Sequence, residues 1–357
     1  MITRRMLSTL LVLCAAPVGA AAQNHITLQG DAVLYDLAGQ VRLEPGPGSA
    51  VVVELQPQGA DAARLRVESG QVGGWRTVRV VFPGDEVVYQ RLQRGNSSEL
   101  DVRADGSFGD RGFWREAGIT PPSSGEGRRV RVRGSGSGLH AFADAVVRVP
   151  AGRRVAIFLG VGRVDAENIG GRLWVGTASA DVALTGTRGG AHISTGSGDL
   201  RLSDVAGDIV AATGSGDVTV QGARTGSFNL STGSGDVTGE RLQLGELTAS
   251  TGSGDVKLRG VSAPRATIST GSGNVEVGLA GTLSTLKVST GSGDARVALP
   301  AGTGAQIRLS SGNGDLESDV PLELTRRRHG LLEGRMGNGA GSIEVSTGSG
   351  SVTLTKS

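Results

Sequence analysis

A chain of 357 residues with 36 basic and 34 acidic side chains has a net charge of only +2, which excludes the basic excess a general nucleic-acid binder needs to displace counterions from phosphates. Its 60 glycines, 3% aromatic residues and short Val, Leu and Ile alternations give an all-β profile with too few large side chains for one thick sandwich core. The single cysteine, Cys14, excludes a disulfide framework.

Residues 1–22 read as a signal peptide. In "MITRRMLSTLLVLCAAPVGAAAQ", Arg4 and Arg5 precede an apolar run from Met6 to Ala16, too short to span a bilayer, and Ala20-Ala21-Ala22 offers a cleavage site before Gln23. Cleavage leaves 357 − 22 = 335 residues with a formal charge of +2 − 2 = 0 and no thiol. Leu13 fits a lipoprotein site poorly, so acylation of Cys14 is not expected. No later stretch is long and apolar enough to cross a membrane.

Residues 23–145 form an irregular β region, continuous with or capping the repeats of residues 146–357. Strands such as "AVVVELQP", "RTVRVVFP" and "RRVRVR" alternate between turn residues, the last with Val inward and Arg in solvent. The stretch 105–129 collects Phe108, Phe113 and Trp114 in an aromatic-poor chain and is predicted to be a long loop packing its aromatics against the rest.

In the repeat region, Thr195, Thr213, Thr232, Thr251, Thr270 and Thr290 each open a T-G-S-G block, Ser311 opens "SGNG", and Thr347 opens the last block; the spacings are 18, 19, 19, 19, 20, 21 and 36. Upstream, "TASAD" at Thr177 and "GVGRV" at Gly160 keep the phase. The 36-residue step equals two turns, so one turn is expected to have lost its signature within "LELTRRRHGLLEGRMGNG", making about eleven turns. A period of 18–20 residues is too short for a propeller blade and shows no helix pair. The predicted fold is therefore a single-stranded β-solenoid, parallel β-helix-like, its turns stacked about 4.8 Å apart.

Parity within the turn sends Ile209, Ala211, Thr213, Val218 and Val220 inward, with Phe228, Leu230, Thr232 and Val237 above them. Glycines such as Gly235 and Gly254 are expected at the corner because it needs positive φ. The Thr column should bond the neighbouring turn inside the rod. An ice-binding face would need outward Thr in pairs instead.

Asp181, Asp199, Asp217, Asp236, Asp255, Asp294 and Asp315 recur in phase, with Asn274 and Ser351 in two turns. Carboxylates stacked at this spacing repel by about 1 kcal/mol per pair in water. Bonds from corner Gly and Ser amides in an Asx-type turn would offset this. Calcium bridging by Asp199, Asp217, Asp236, Asp255, Asp294 and Asp315 is the rival reading, although the calcium β-roll pattern is G-G-x-G-x-D at nine residues.

With the serial "TGSGDV" corners, "VPAG" at Val149–Gly152 echoed by "LPAG" at Leu299–Gly302, and the closing "GNGAGSIEVSTGSGSVTL", the chain resembles the bacterial "putative adhesin" β-strand-repeat family over about Val147 to Leu354. The resemblance implies an exported β-solenoid of the cell envelope with an interaction role and no catalytic residues. Catalytic motifs such as G-x-S-x-G, H-E-x-x-H and the P-loop are absent, and His25, His140, His192 and His329 are scattered. "TRRRH" at Thr325–His329 reads as an extruded loop able to meet anionic envelope polymers.

The expected function is an exported, non-enzymatic structural or adhesion scaffold, periplasmic or at the cell surface. Its partner would be an envelope protein or polysaccharide, and it would need no cofactor. The alternatives are a polysaccharide-active β-helix enzyme using its carboxylates and a calcium-binding repeat protein.

Overall fold

The computed structural model describes residues 25–72, 74–109, 111–119, 127–281 and 283–357; the predicted signal peptide, with Cys14, lies outside them. The chain opens with β1 (His25–Gln29), β2 (Ala32–Pro45), β3 (Ala50–Gln58), β4 (Arg66–Val72) and β5 (Trp75–Val81). Then come β6 (Glu86–Val88), β7 (Ser97–Val102), a six-residue helix α1 (Arg111–Glu116), β8 (Arg128–Arg133) and β9 (Phe142–Val149). The regular part runs through β10 (Val155–Glu167), β11 (Leu173–Thr185), β12 (Ala191–Thr195), β13 (Leu200–Ala206), β14 (Ile209–Thr213) and β15 (Val218–Thr232). It continues with β16 (Val237–Thr251), β17 (Val256–Ser262), β18 (Arg265–Thr270), β19 (Val275–Leu279), β20 (Thr285–Thr290) and β21 (Ala295–Leu299). The chain closes with β22 (Ala305–Ser311), β23 (Leu316–Ser318), β24 (Glu323–Arg328), β25 (Leu331–Met336), β26 (Gly341–Thr347) and β27 (Val352–Lys356).

Twenty-four of these strands form one sheet, wound as a solenoid of parallel rungs; β6, β8 and β7 form a separate 3-stranded sheet. Alternation builds the core: Ile209, Ala211, Val218 and Val220 are buried, as are Phe228, Leu230, Leu247, Ala249, Val256 and Leu258 in the next rungs. Each rung leaves its apolar face bare until a neighbour covers it, so burial depends on stacking. Up the inner corner column the rungs carry, in spatial order, Asp36, Leu159, Thr177, Thr195, Thr213, Thr232, Thr251, Thr270, Thr290, Thr347 and Ser311.

The end of that series corrects the order of the turns. No turn is hidden in the 36-residue step: β26 pairs in parallel with both β20 and β22, and β27 with both β21 and β23. The last rung of the chain is thus inserted beneath the preceding one. The intervening residues leave the solenoid as an antiparallel hairpin, β24–β25, whose β25 closes the edge of β22. "TRRRH" accordingly lies mostly in strand β24 and not in an extruded loop.

The same interleaving occurs at the other end. The first rung, β2, lies between β10 on one side and β5 and β9 on the other, although β5 and β9 come later in the chain. Antiparallel strands again close the edges, β4 on β5 and β3 on β9.

A second correction concerns the corner glycines. Gly235 and Gly254 do not have positive φ; glycine is required there because a Cβ on Gly235 would collide with the carbonyl oxygen of Gly216 in the rung beneath, and one on Gly254 with that of Gly235. Positive φ belongs to a different corner, the column Asn168, Gly186, Asp204, Gly222, Arg241 and Gly260, with φ of 54, 65, 51, 74, 56 and 66°. At Gly186 a Cβ would meet the Asn168 side chain, and at Gly222 that of Asp204, so glycine follows each larger residue.

If steric contact sets the TGSG corner, Gly235→Ala should destabilise by about 3 kcal/mol through overpacking against a backbone that cannot yield. Gly278→Ala, where a Cβ has nothing nearer than 3.9 Å, should be close to neutral. Equal thermal melts for the two variants would refute the steric account.

Candidate functional site

The threonine column is buried and hydrogen-bonded twice per rung. In rung after rung the hydroxyl accepts the N–H of the block's second glycine and donates to the carbonyl of the corresponding glycine beneath. Gly235 N–H bonds Thr232 Oγ1 at 3.1 Å, which donates to Gly216 O at 2.9 Å; Thr213, Thr251, Thr270 and Thr290 repeat the pattern. Thr195 accepts from Gly198 at 3.2 Å and receives the Thr177 hydroxyl at 2.7 Å. Ser311 makes both bonds with its own hydroxyl, so the methyl group is dispensable to the geometry.

Thr232→Val leaves a buried donor and a buried acceptor unpaired and should cost about 2 kcal/mol. Thr232→Ser should cost about 1 kcal/mol, the transfer energy of one methyl group. Chemical denaturation of the two variants would check this; equal costs would place the stabilisation in packing instead of hydrogen bonding.

The aspartate column lies on the outer side of the same corner, and its bonding differs from the expected Asx-type turn. Each side chain accepts the backbone N–H of its counterpart in the next rung: Asp217 N–H to Asp199 Oδ1 at 3.1 Å, Asp236 to Asp217 at 2.9 Å, Asp255 to Asp236 at 2.8 Å and Asn274 to Asp255 at 2.7 Å. Asp294 N–H then bonds Asn274 Oδ1 at 2.9 Å, Ser351 N–H bonds Asp294 Oδ1 at 2.8 Å, and Asp315 N–H bonds Ser351 Oγ at 3.3 Å. Any short side chain with an acceptor oxygen serves, which explains Asn274 and Ser351. Arg201 pairs with Asp199 at 2.9 Å. Among the described residues no group of three or more His, Cys, Asp or Glu is gathered closely enough to hold a metal ion.

Replacing Asp236 and Asp255 together with Asn keeps both acceptors and removes two like charges, so the melting temperature should stay level or rise slightly. Calcium and chelator should leave the melts of wild type and variant unchanged. A calcium-dependent rise that the double substitution abolishes would make the column a metal site.

A further surface feature lies elsewhere, and sequence reasoning missed it. A cleft of about 310 Å³ opens between the rod wall and the insertion. Its floor is Phe158, Gly176, Thr177, Ala178 and Ser194; its walls are Phe108, Gly109 and Phe113 from the insertion and Glu99, Leu100 and Asp101 from β7. The insertion contains α1 where a loop was predicted. Its aromatics pack on the outer wall: Phe113 edge-on to Phe158 at 5.5 Å and to His192 at 5.2 Å, Trp114 on Phe158 at 6.0 Å, and Phe108 on Tyr35 at 6.0 Å. Gly176 makes this possible, since a Cβ there would lie 3.2 Å from the Phe113 ring. Arg103 covers Trp114 with its guanidinium 4.3 Å from the ring centroid.

At the rim, Arg131 on β8 donates to Glu99 at 2.7 Å, and that hydrogen bond, followed by the guanidinium charge, holds the Glu99 carboxyl below its ordinary range. Val130 and Val132 of β8 are buried while its arginines reach solvent and pair with Asp85, Glu86, Glu99 and Asp101. Among the described residues the carboxyl driven far upward is that of Asp36, wholly inside the rod: burial is the main cause and the Asp144 carboxylate adds to it. Its Oδ1 accepts the Ala38 N–H at 3.3 Å, and its Oδ2 has no partner among the described residues.

Residues 189–355 match the Toastrack DUF4097 family, and the β-solenoid formed by those residues agrees with that match. A solved structure similar to this chain is described as "a putative cell adhesion protein from Clostridium sporogenes"; the alignment covers 93% of this chain and 99% of that chain at 10% identity, with a TM-score of 0.19. That likeness is too slight to argue from. No curated protein matches this chain.

Proposed function

We propose that the protein is an exported, non-enzymatic scaffold of the cell envelope, a signal peptide (1–22) followed by one continuous rod, that holds an interaction surface for an envelope protein or polysaccharide. The cleft beneath the insertion carries this reading. It joins an aromatic floor to a polar rim on a stiff wall, and binding surfaces are commonly built from such loops held on rigid scaffolds. A scaffold role also agrees with the chemistry at the rim. A glycosidase acid needs a carboxyl raised to hold its proton near neutrality, whereas Glu99 is held low and the raised Asp36 is sealed inside the core. No helix of the described residues is long and apolar enough to cross a membrane.

Ala178 is half-buried on the cleft floor, so Ala178→Trp should fill the cleft without entering the core. Purified wild-type protein should capture a partner from a solubilised envelope fraction that the variant, with an unchanged melting temperature, does not. Equal capture by both would move the contact away from the cleft. Protein recovered outside the inner membrane should begin at Gln23; retention in the cytoplasm with residue 1 intact would overturn export.

A further inference from the structure

Among the described residues four strands of the large sheet have one backbone edge open: β1 and β4 at one end of the rod, and the three-residue β23 and the six-residue β24 at the other. At β1 and β4, His25 pairs with Glu54 and Glu68 with Arg79, and one cation, Arg66, forms no ion pair among the described residues. At β24 there are two such cations. Arg326 shares Glu333 with Arg308, and Glu323 pairs with Arg335, but Arg327 and Arg328 form no ion pair among the described residues. All six residues of β24 are exposed, and Leu324, at 51%, is the exposed large hydrophobic of the described chain. An edge that only had to be shielded from water would require neither a leucine in solvent nor two spare guanidinium groups.

We propose that the open edge of β24 binds an extended acidic segment of a partner protein by strand addition. The partner's backbone would continue the sheet beyond β25 and β24, its carboxylates would take the Arg327 and Arg328 guanidinium groups, and an apolar side chain would cover Leu324. The arginines also decide against a second copy of this chain, because two β24 edges brought together would oppose like charges. A sulfated or phosphorylated polysaccharide could neutralise the arginines yet would leave the backbone edge unpaired. The site lies at the far end of the rod from the insertion and does not depend on the cleft.

The test uses the full exported chain and a labelled synthetic peptide in which pairs of adjacent glutamates alternate with single valines, so that carboxylates project from both faces of the added strand, read by fluorescence anisotropy. Binding is expected that weakens with salt, and about tenfold or more when Arg327→Glu and Arg328→Glu are combined. N-methylation of the amides on one edge of the peptide, which leaves every charge in place, should abolish binding for one of the two possible edges. The substituted side chains are exposed, and an unchanged melt of the double variant would confirm that it folds. Two results would overturn the proposal: equal binding of the methylated peptides, with dextran sulfate competing charge for charge, would make the site one for polyanions; absence of peptide binding would make β24 a closed-off end.

Discussion

Backbone hydrogen bonds between rungs draw the TGSG corners so close that the carbonyl oxygen of each glycine occupies the space where the next glycine's Cβ would be. The rest of the structure depends on that closeness. It puts each threonine hydroxyl within reach of one glycine N–H in its own rung and one glycine carbonyl in the rung beneath, and each aspartate oxygen within reach of the next rung's amide. Repulsion along the aspartate column is tolerated because Asp181, Asp199, Asp217, Asp236, Asp255 and Asp294 each hold an N–H dipole of the next rung. The corner is therefore stiff for electrostatic and steric reasons together.

Such a corner leaves little freedom to the wall it braces, and the insertion makes use of this. Phe158 and Gly176 occupy neighbouring rungs at the same outward register position, one supplying a ring and the other a gap, and Phe113 closes over both. The second sheet brings Glu99 to the rim already oriented by Arg131. Residues of β7, β10, β11, β12 and the insertion thus line one cleft.

What could be read from the sequence depended on whether a feature repeats by letter. The Thr and Asp columns and the inward Val and Leu positions recur at fixed spacing, so their burial and facing were legible. The left-handed corner was not, because its column runs Asn168, Gly186, Asp204, Gly222, Arg241, Gly260: the φ repeats but no residue type does. Spatial order was also hidden. The β24–β25 hairpin brings the step from Ser311 to Thr347 to 36 residues, the length of two turns, so a spacing argument reads a detour as a missing rung. The cleft escaped notice because its walls come from segments far apart in the chain, none with a motif.

Interleaved ends also constrain how such a rod can change in length. A rung added by duplication at either terminus would have to thread between strands that already pair with each other, whereas one added in the middle extends the same corner and core columns and leaves both closures intact. The turns from Thr213 to Thr270 keep a uniform step of 19 residues, while the steps drift toward 20 and 21 as the end approaches. The central rungs are thus interchangeable units of measure, and the protein is built as two fixed fittings joined by a spacer whose length can be reset one turn at a time.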